Sequence, residues 1–180
     1  MRVRTAIITI VVVLLGTFPN SRAWAEGGSQ SEKGKLPHIL GATIGAPFDD
    51  VVQAYSKTSY GPIHRKENIL VYPVLLTSLS YFNEREVEYW SFENKLAQMV
   101  VRFDGAELTY DKLVLALMKS YGQPRELDKK LQKERPKLKE WFSKEYSGLK
   151  VTLDVIGMPT IRYKYLPLTI PMEDAEAENF

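Results

Sequence analysis

The chain has 180 residues, with 24 Lys and Arg against 22 Asp and Glu, and no Cys. The lack of Cys excludes disulfides, thiolate metal sites, a Cys nucleophile and acylation of an N-terminal Cys. The near-balance of charge leaves no basic footprint for nucleic acid.

Residues 1–25 carry Arg2 and Arg4, then an apolar stretch over 6–15 interrupted by Thr9, then Gly16, Pro19 and Ala23-Trp24-Ala25. This basic, apolar and small-residue order is that of a secretory signal peptide. The apolar run is shorter than the roughly 20 residues a membrane span needs. Cleavage after Ala25 is expected. It removes Arg2, Arg4 and Arg22 and leaves 155 residues with 21 basic against 22 acidic side chains, a net charge of −1. That length accommodates one sizeable core, on which an exported domain without disulfides depends. No later apolar run is long enough to span a bilayer, so no stable membrane span is expected after cleavage. The chain is therefore expected to be periplasmic or secreted: 1–25 signal peptide, 26–35 a flexible Gly- and Ser-rich leader, 36–168 a single domain, and 169–180 a disordered acidic tail holding Glu173, Asp174, Glu176 and Glu178.

Within the domain, residues 47–62 (PFDDVVQAYSKTSYGP) lie over 109–124 (TYDKLVLALMKSYGQP) with one single-residue gap in each copy. Each copy predicts a short helix. Asp49 or Asp111 places negative charge in the first turn, and Gly61 or Gly122 near a Pro marks the stop. Val51, Val52, Ala54 and Tyr55 in one, and Leu113, Val114, Ala116 and Leu117 in the other, form an apolar stripe that must be buried.

Each helix is followed by β-prone sequence. Residues 69–79 are rich in Val, Leu and Tyr but interrupted by Pro73. Residues 86–92 and 95–103 then flank Glu93-Asn94, which reads as a tight hairpin turn. After the second helix come a charged connector, a strand over 138–142, and a hairpin of 149–155 with 160–166 around Gly157, whose freedom at positive φ suits a turn. The expected fold class is α+β: two tandem helix plus antiparallel-strand repeats, about 36–104 and 105–168, with the helices packed on one face of an antiparallel sheet. Such sheets commonly keep the other face solvated.

Aromatic residues are concentrated in these strands, with Tyr81, Phe82, Tyr89, Trp90, Phe92 and Phe103 in the first half and Trp141, Phe142, Tyr146, Tyr163 and Tyr165 in the second. Alternation sends Tyr89 and Trp90 to opposite faces. Tyr89, Trp90, Trp141, Tyr163 and Tyr165 are the candidate partner-binding residues.

The Gly41-Ala42-Thr43-Ile44-Gly45 segment before a helix, the Tyr121-Gly122-Gln123-Pro124 helix end and the Phe92-Glu93-Asn94-Lys95-Leu96 turn resemble small bacterial envelope proteins built from helix and hairpin repeats. β-Lactamase inhibitory protein and the small lipoprotein of the outer-membrane barrel-assembly machinery are of this kind. The resemblance covers residues 36–166 and implies a fold and a tendency to bind proteins. The missing lipid-anchor Cys departs from the lipoprotein pattern, and no functional residue is carried over.

Other constellations carry less chemistry. His38 or His64 paired with Asp49 or Asp50 would suit a general base in a small exported hydrolase, though both His fall in expected loops. Glu84, Glu86 and Glu88 share one face of a strand. They could offer carboxylate oxygens to a cation, but alternating charge more often marks a solvated face or a blunted edge. No nucleophile elbow, phosphate loop or dinucleotide fingerprint occurs. The connector holds Arg125, Lys129, Lys130, Lys133, Arg135, Lys137 and Lys139 against Glu126, Asp128 and Glu134. This reads as a solvated helix or linker laced with opposite charges, with attraction to anionic lipid headgroups or cell-wall polymers as the alternative. The overall expectation is a non-catalytic protein-binding or accessory module with an envelope protein partner, without cofactor or metal. The alternatives are a hydrolase or metal-dependent enzyme, or a carrier of a small apolar ligand between helices and sheet.

Overall fold

A computed structural model describes residues 38–39, 42–56, 61–74, 84–103 and 110–177. The expected signal peptide and leader, Tyr81, Phe82, Thr109 and Glu178 lie outside the described residues. In chain order the elements are β1 (His38–Ile39), β2 (Ala42–Thr43), α1 (Phe48–Tyr55), β3 (Ile63–Lys66), β4 (Ile69–Val74), β5 (Glu84–Phe92) and β6 (Lys95–Phe103). There follow α2 (Tyr110–Tyr121), α3 (Lys129–Glu134), β7 (Lys139–Phe142), β8 (Leu149–Ile156), β9 (Met158–Tyr165) and α4 (Leu166–Ala177). The architecture is α+β, dominated by a seven-stranded sheet of order β3-β4-β5-β6-β9-β8-β7. Every adjacent pair is antiparallel.

Local sequence accounts for most of these elements. In α1, Phe48, Val51, Val52 and Tyr55 recur at helical spacing. The first two are buried and the others pack against the same core. Pro47 sits at the cap position, and Asp49 and Asp50 place negative charge in the first turn. The β5–β6 hairpin holds this start in place: Gly45 N–H donates to Leu96 O at 2.7 Å and Phe48 N–H to Asn94 O at 2.9 Å. Helix α2 buries Leu113 and Leu117 and leaves Leu115 exposed on the other side. It ends at Gly122, whose φ is +83° and whose N–H donates to Met118 O at 2.8 Å. Helix α1 stops at Tyr55, well before Gly61, so the two aligned segments build helices of 8 and 12 residues.

The β5–β6 hairpin turns at Glu93-Asn94, with φ of +50° and +57°. This left-handed pair matches the right-handed twist of two-residue hairpins. Gly157, at φ +79°, turns β8 into β9, a tighter connection than expected because Ile156 already pairs with Met158. Pro73 lies inside β4, opposite Glu88 of β5, rather than ending a strand.

Strand parity gives the sheet two unlike faces. Tyr72, Val74, Val87, Tyr89, Met99, Val101, Trp141, Val151, Leu153, Ile161 and Tyr163 form one core with Phe48 and Val51 of α1 and Leu113 and Leu117 of α2. Tyr55 stacks on Tyr89 with ring centroids 5.3 Å apart, and Phe48 meets Tyr72 edge-on at 6.5 Å. On the opposite parity, Ile69, Phe92, Ala97 and Met172 form a smaller cluster with Trp90, Leu168 and Ala175 against it.

Two expectations are corrected here. The acidic tail is a helix over most of its length: α4 runs through Ala177, with Leu168, Met172 and Ala175 spaced to make an apolar stripe. Burial of Met172 outweighs the acidic composition that suggested disorder. In keeping with the expected solvated helix or linker, the connector contains α3, capped by Asp128, whose Oδ1 accepts from Lys130 N–H at 2.8 Å and Leu131 N–H at 3.4 Å. His38 and His64 sit on strands β1 and β3 rather than in loops. Among the described residues, no helix is long and apolar enough to cross a membrane.

Candidate functional site

The five aromatic candidates do not form one surface. Tyr89 and Trp141 are fully buried and Tyr163 nearly so, because their parity points them into the core under α1 and α2. Trp141 donates its indole N–H to Gly122 O at 3.0 Å, so it latches the end of α2 to β7. Its polar handle is used internally. Tyr165 is partly buried and packs against the same core. Of the five, Trp90 alone lies on the other face of the sheet, half-buried beside the small cluster. Arg65 lies over its ring, 5.8 Å from the centroid. The burial of Tyr89, Trp141 and Tyr163 corrects the expectation that they are available to a partner.

The face shared with Trp90 is charged. Along β5 it carries Glu86 and Glu88, along β6 Gln98, Val100 and Arg102, along β9 Thr160, Arg162 and Lys164, along β8 Lys150, Thr152 and Asp154, and along β7 Glu140 and Phe142. Arg102 Nη1 meets Glu86 Oε2 at 3.0 Å and Glu88 Oε1 at 2.8 Å. The other oxygen of Glu88 accepts from Trp90 Nε1 at 3.0 Å. The hydrogen bond to Glu88 raises the Arg102 pKa against the opposing effect of burial. Lys150 pairs with Glu140 at 2.7 Å, Lys164 with Glu173 of α4, and Arg135 with Asp154.

Arg162, in the middle of this face, differs. No hydrogen bond or ion pair is made by its side chain among the described residues. Burial lowers its pKa first, then the charges of Arg135 and Arg102, with Glu88 partly offsetting them. The alternation Thr160-Ile161-Arg162-Tyr163-Lys164 carried the signal for this row, with Ile161 and Tyr163 on the core side, and Thr160, itself buried, Arg162 and Lys164 on the other.

The catalytic and metal constellations are dispersed. His38 Nδ1 lies 2.9 Å from Thr43 Oγ1. His64 is exposed on the edge strand β3. Asp49 accepts a hydrogen bond from Asn94 Nδ2 at 3.3 Å. Glu86 and Glu88 are both engaged by Arg102, and the side chain of Glu84 lies outside the described residues. Among the described residues, no group of three or more His, Asp or Glu is placed to hold a metal ion. Tyr121 is the most perturbed tyrosine, pushed up to about 12 by burial and by nearby Tyr146 and Glu145. It packs against the core at the end of α2 rather than in a cleft with a base. No protein-family model, curated protein or solved structure matches the chain.

Proposed function

We propose that the chain is an exported, non-catalytic binding or accessory module of the bacterial cell envelope, periplasmic or secreted. In this reading it consists of two tandem helix-and-strand repeats whose helices cover one face of the sheet. The likeness of its turn and helix-end sequences to small envelope proteins of helix and hairpin repeats supports the same view. The observation that carries it is the asymmetry of the sheet. One face is sealed by α1 and α2, while the other presents ordered, mutually paired charges and Trp90 across β5, β6, β9, β8 and β7. A flat surface of fixed charges suits recognition of a protein through polar complementarity, which sets orientation and partner choice. The partner-binding set is accordingly Trp90, Glu86, Glu88, Arg102 and their neighbours.

A hydrolase would need His38 or His64 beside a carboxylate, and their neighbours are Thr43 and an exposed strand edge. The test is cross-linking in the native envelope followed by mass spectrometry. The chain should recover a reproducible protein partner, lost when Glu86 and Glu88 are both changed to Lys and retained when exposed Leu115 is changed to Ser. Equal recovery by both variants, or none by the unaltered chain, removes this reading.

A further inference from the structure

We propose that Arg162 is the anchor of an oxyanion site at the centre of the charged face, taking a side-chain carboxylate from an acidic peptide segment of the partner. This rests on the reading of the chain as a protein-binding module and names the chemistry that its face selects.

The placement of charges carries the inference. Lys150 and Lys164 stand directly opposite each other on β8 and β9, an arrangement of like charges that destabilises a sheet unless each is answered. Each is answered from the rim, Lys150 by Glu140 on β7 and Lys164 by Glu173 on α4. Arg102 is likewise held by Glu86 and Glu88 from β5. Arg162 sits inside this ring of pairs, one alternation along β9 from Lys164, with Val100 on one flank and Thr152 on the other. Among the described residues its side chain has no ion-paired or hydrogen-bonded carboxylate, and the like charges of Arg135 and Arg102 act on it with Glu88 as a smaller offset.

A second observation points to the same place. Arg135 gives Nη2 to Asp154, yet its Nε–H is buried without an acceptor. Buried donors of this kind are normally satisfied, and the exceptions call for an explanation. A half-buried guanidinium without a paired carboxylate raises the free energy of the free protein. An incoming carboxylate removes that penalty and finds a planar fork of donors suited to bidentate contact. The described carboxylates of this face, Glu86, Glu88, Glu140, Asp154 and Glu173, are each paired with another cation, and the anion comes from a partner.

The experiment is calorimetric titration of the purified chain with hexaglutamate, and separately with inorganic phosphate, at low ionic strength. Arg162→Gln, Arg162→Lys and the exposed-site control Lys112→Gln are carried in parallel. Hexaglutamate should bind the unaltered chain and the control alike. Arg162→Gln should lose at least tenfold in affinity while melting at the same or a higher temperature, since an uncompensated charge is gone. Arg162→Lys should fall between, because it keeps charge but loses the fork. Unchanged binding by Arg162→Gln, a clearly lower melting temperature for it, or binding of phosphate without hexaglutamate would each overturn the proposal. If Arg162→Gln still recovers the cross-linked partner, the anion site fails while the module survives. If hexaglutamate binds through Arg162 but no envelope partner appears, the module reading fails instead.

Discussion

The two faces of the seven-stranded sheet settle the same problem in different ways. Under α1 and α2, burial is achieved with apolar volume: Tyr72, Tyr89, Met99, Trp141, Val151 and Leu153 are nearly inaccessible. The indole N–H of Trp141 is satisfied within the fold by Gly122 O. Across the sheet, the same strands send out Glu86, Glu88, Arg102, Arg162, Lys164 and Lys150, and, Arg162 apart, order comes from a lattice of pairs. The first face tolerates no change of volume, whereas the second tolerates change in most of its members. Partly exposed pairs contribute little each, so the charged side is free to be shaped by recognition.

That contrast can be broken or sharpened by substitution. Trp141→Ala should have the largest effect, destabilising by about 3–5 kcal/mol through lost burial and the cavity left behind, measured by urea unfolding. It should also free the end of α2, visible as faster amide exchange at Gly122. Met172→Ala tests whether α4 belongs to the fold. Truncation of a buried Met usually costs about 2–5 kcal/mol, and the lower part of that range is expected because its cluster is small. A stability unchanged within error would return residues 166–177 to the status of a tail.

Tyr121 gives a pH test. Its folded pKa is raised to about 12 by burial first, so the folded state keeps the phenol neutral where the unfolded chain ionises. The stabilisation is complete below about pH 10, the ordinary tyrosine value, and is lost as pH rises through 12. Thermal melts should fall across that window, and Tyr121→Phe should flatten the part of the decline that belongs to this group. The smallest effect is expected for Arg102→Ala. With the guanidinium about one-third exposed, loss of its pairs should cost about 1 kcal/mol or less. A loss as large as that of Trp141→Ala would mean that the charged face is structural after all.

Much of the fold was legible because local chemistry speaks for itself at turns. Glu93-Asn94 between β-prone runs and Gly157 between two others mark hairpins without reference to the rest of the chain. The α1 and α2 stripes were legible for the same reason, as helical periodicity is a local property. Strand β3, with Ile63, His64, Arg65 and Lys66, was hidden because its side chains are exposed or half-exposed and it lacks the alternation that announces a strand. Helix α4 was hidden by Pro171 and by its acidic residues, which masked the spacing of Leu168, Met172 and Ala175.

The candidate site was less legible, because alternation shows that Tyr89 and Trp90 part company but not which of them meets the core. A one-residue shift of register exchanges the faces. Only the packing of α1 against Tyr89 decides it, and that contact joins residues far apart in sequence. Arg162 was further concealed by lying between Ile161 and Tyr163, where the eye is drawn to the apolar positions.

The sheet order has a consequence for how the chain folds. Strands β3, β4, β5 and β6 are each laid beside their predecessor in sequence, and so are β7, β8 and β9. These pairings need only short loops to close. The β6–β9 ladder, from Gln98–Lys164 to Arg102–Thr160, is the one seam in the large sheet that joins strands distant along the chain. Closing such a loop costs entropy before any contact repays it, and non-local pairing slows folding. The two ribbons are therefore expected to meet last, along the seam that sets Val100 beside Arg162, so that the centre of the charged face is completed only with the whole sheet.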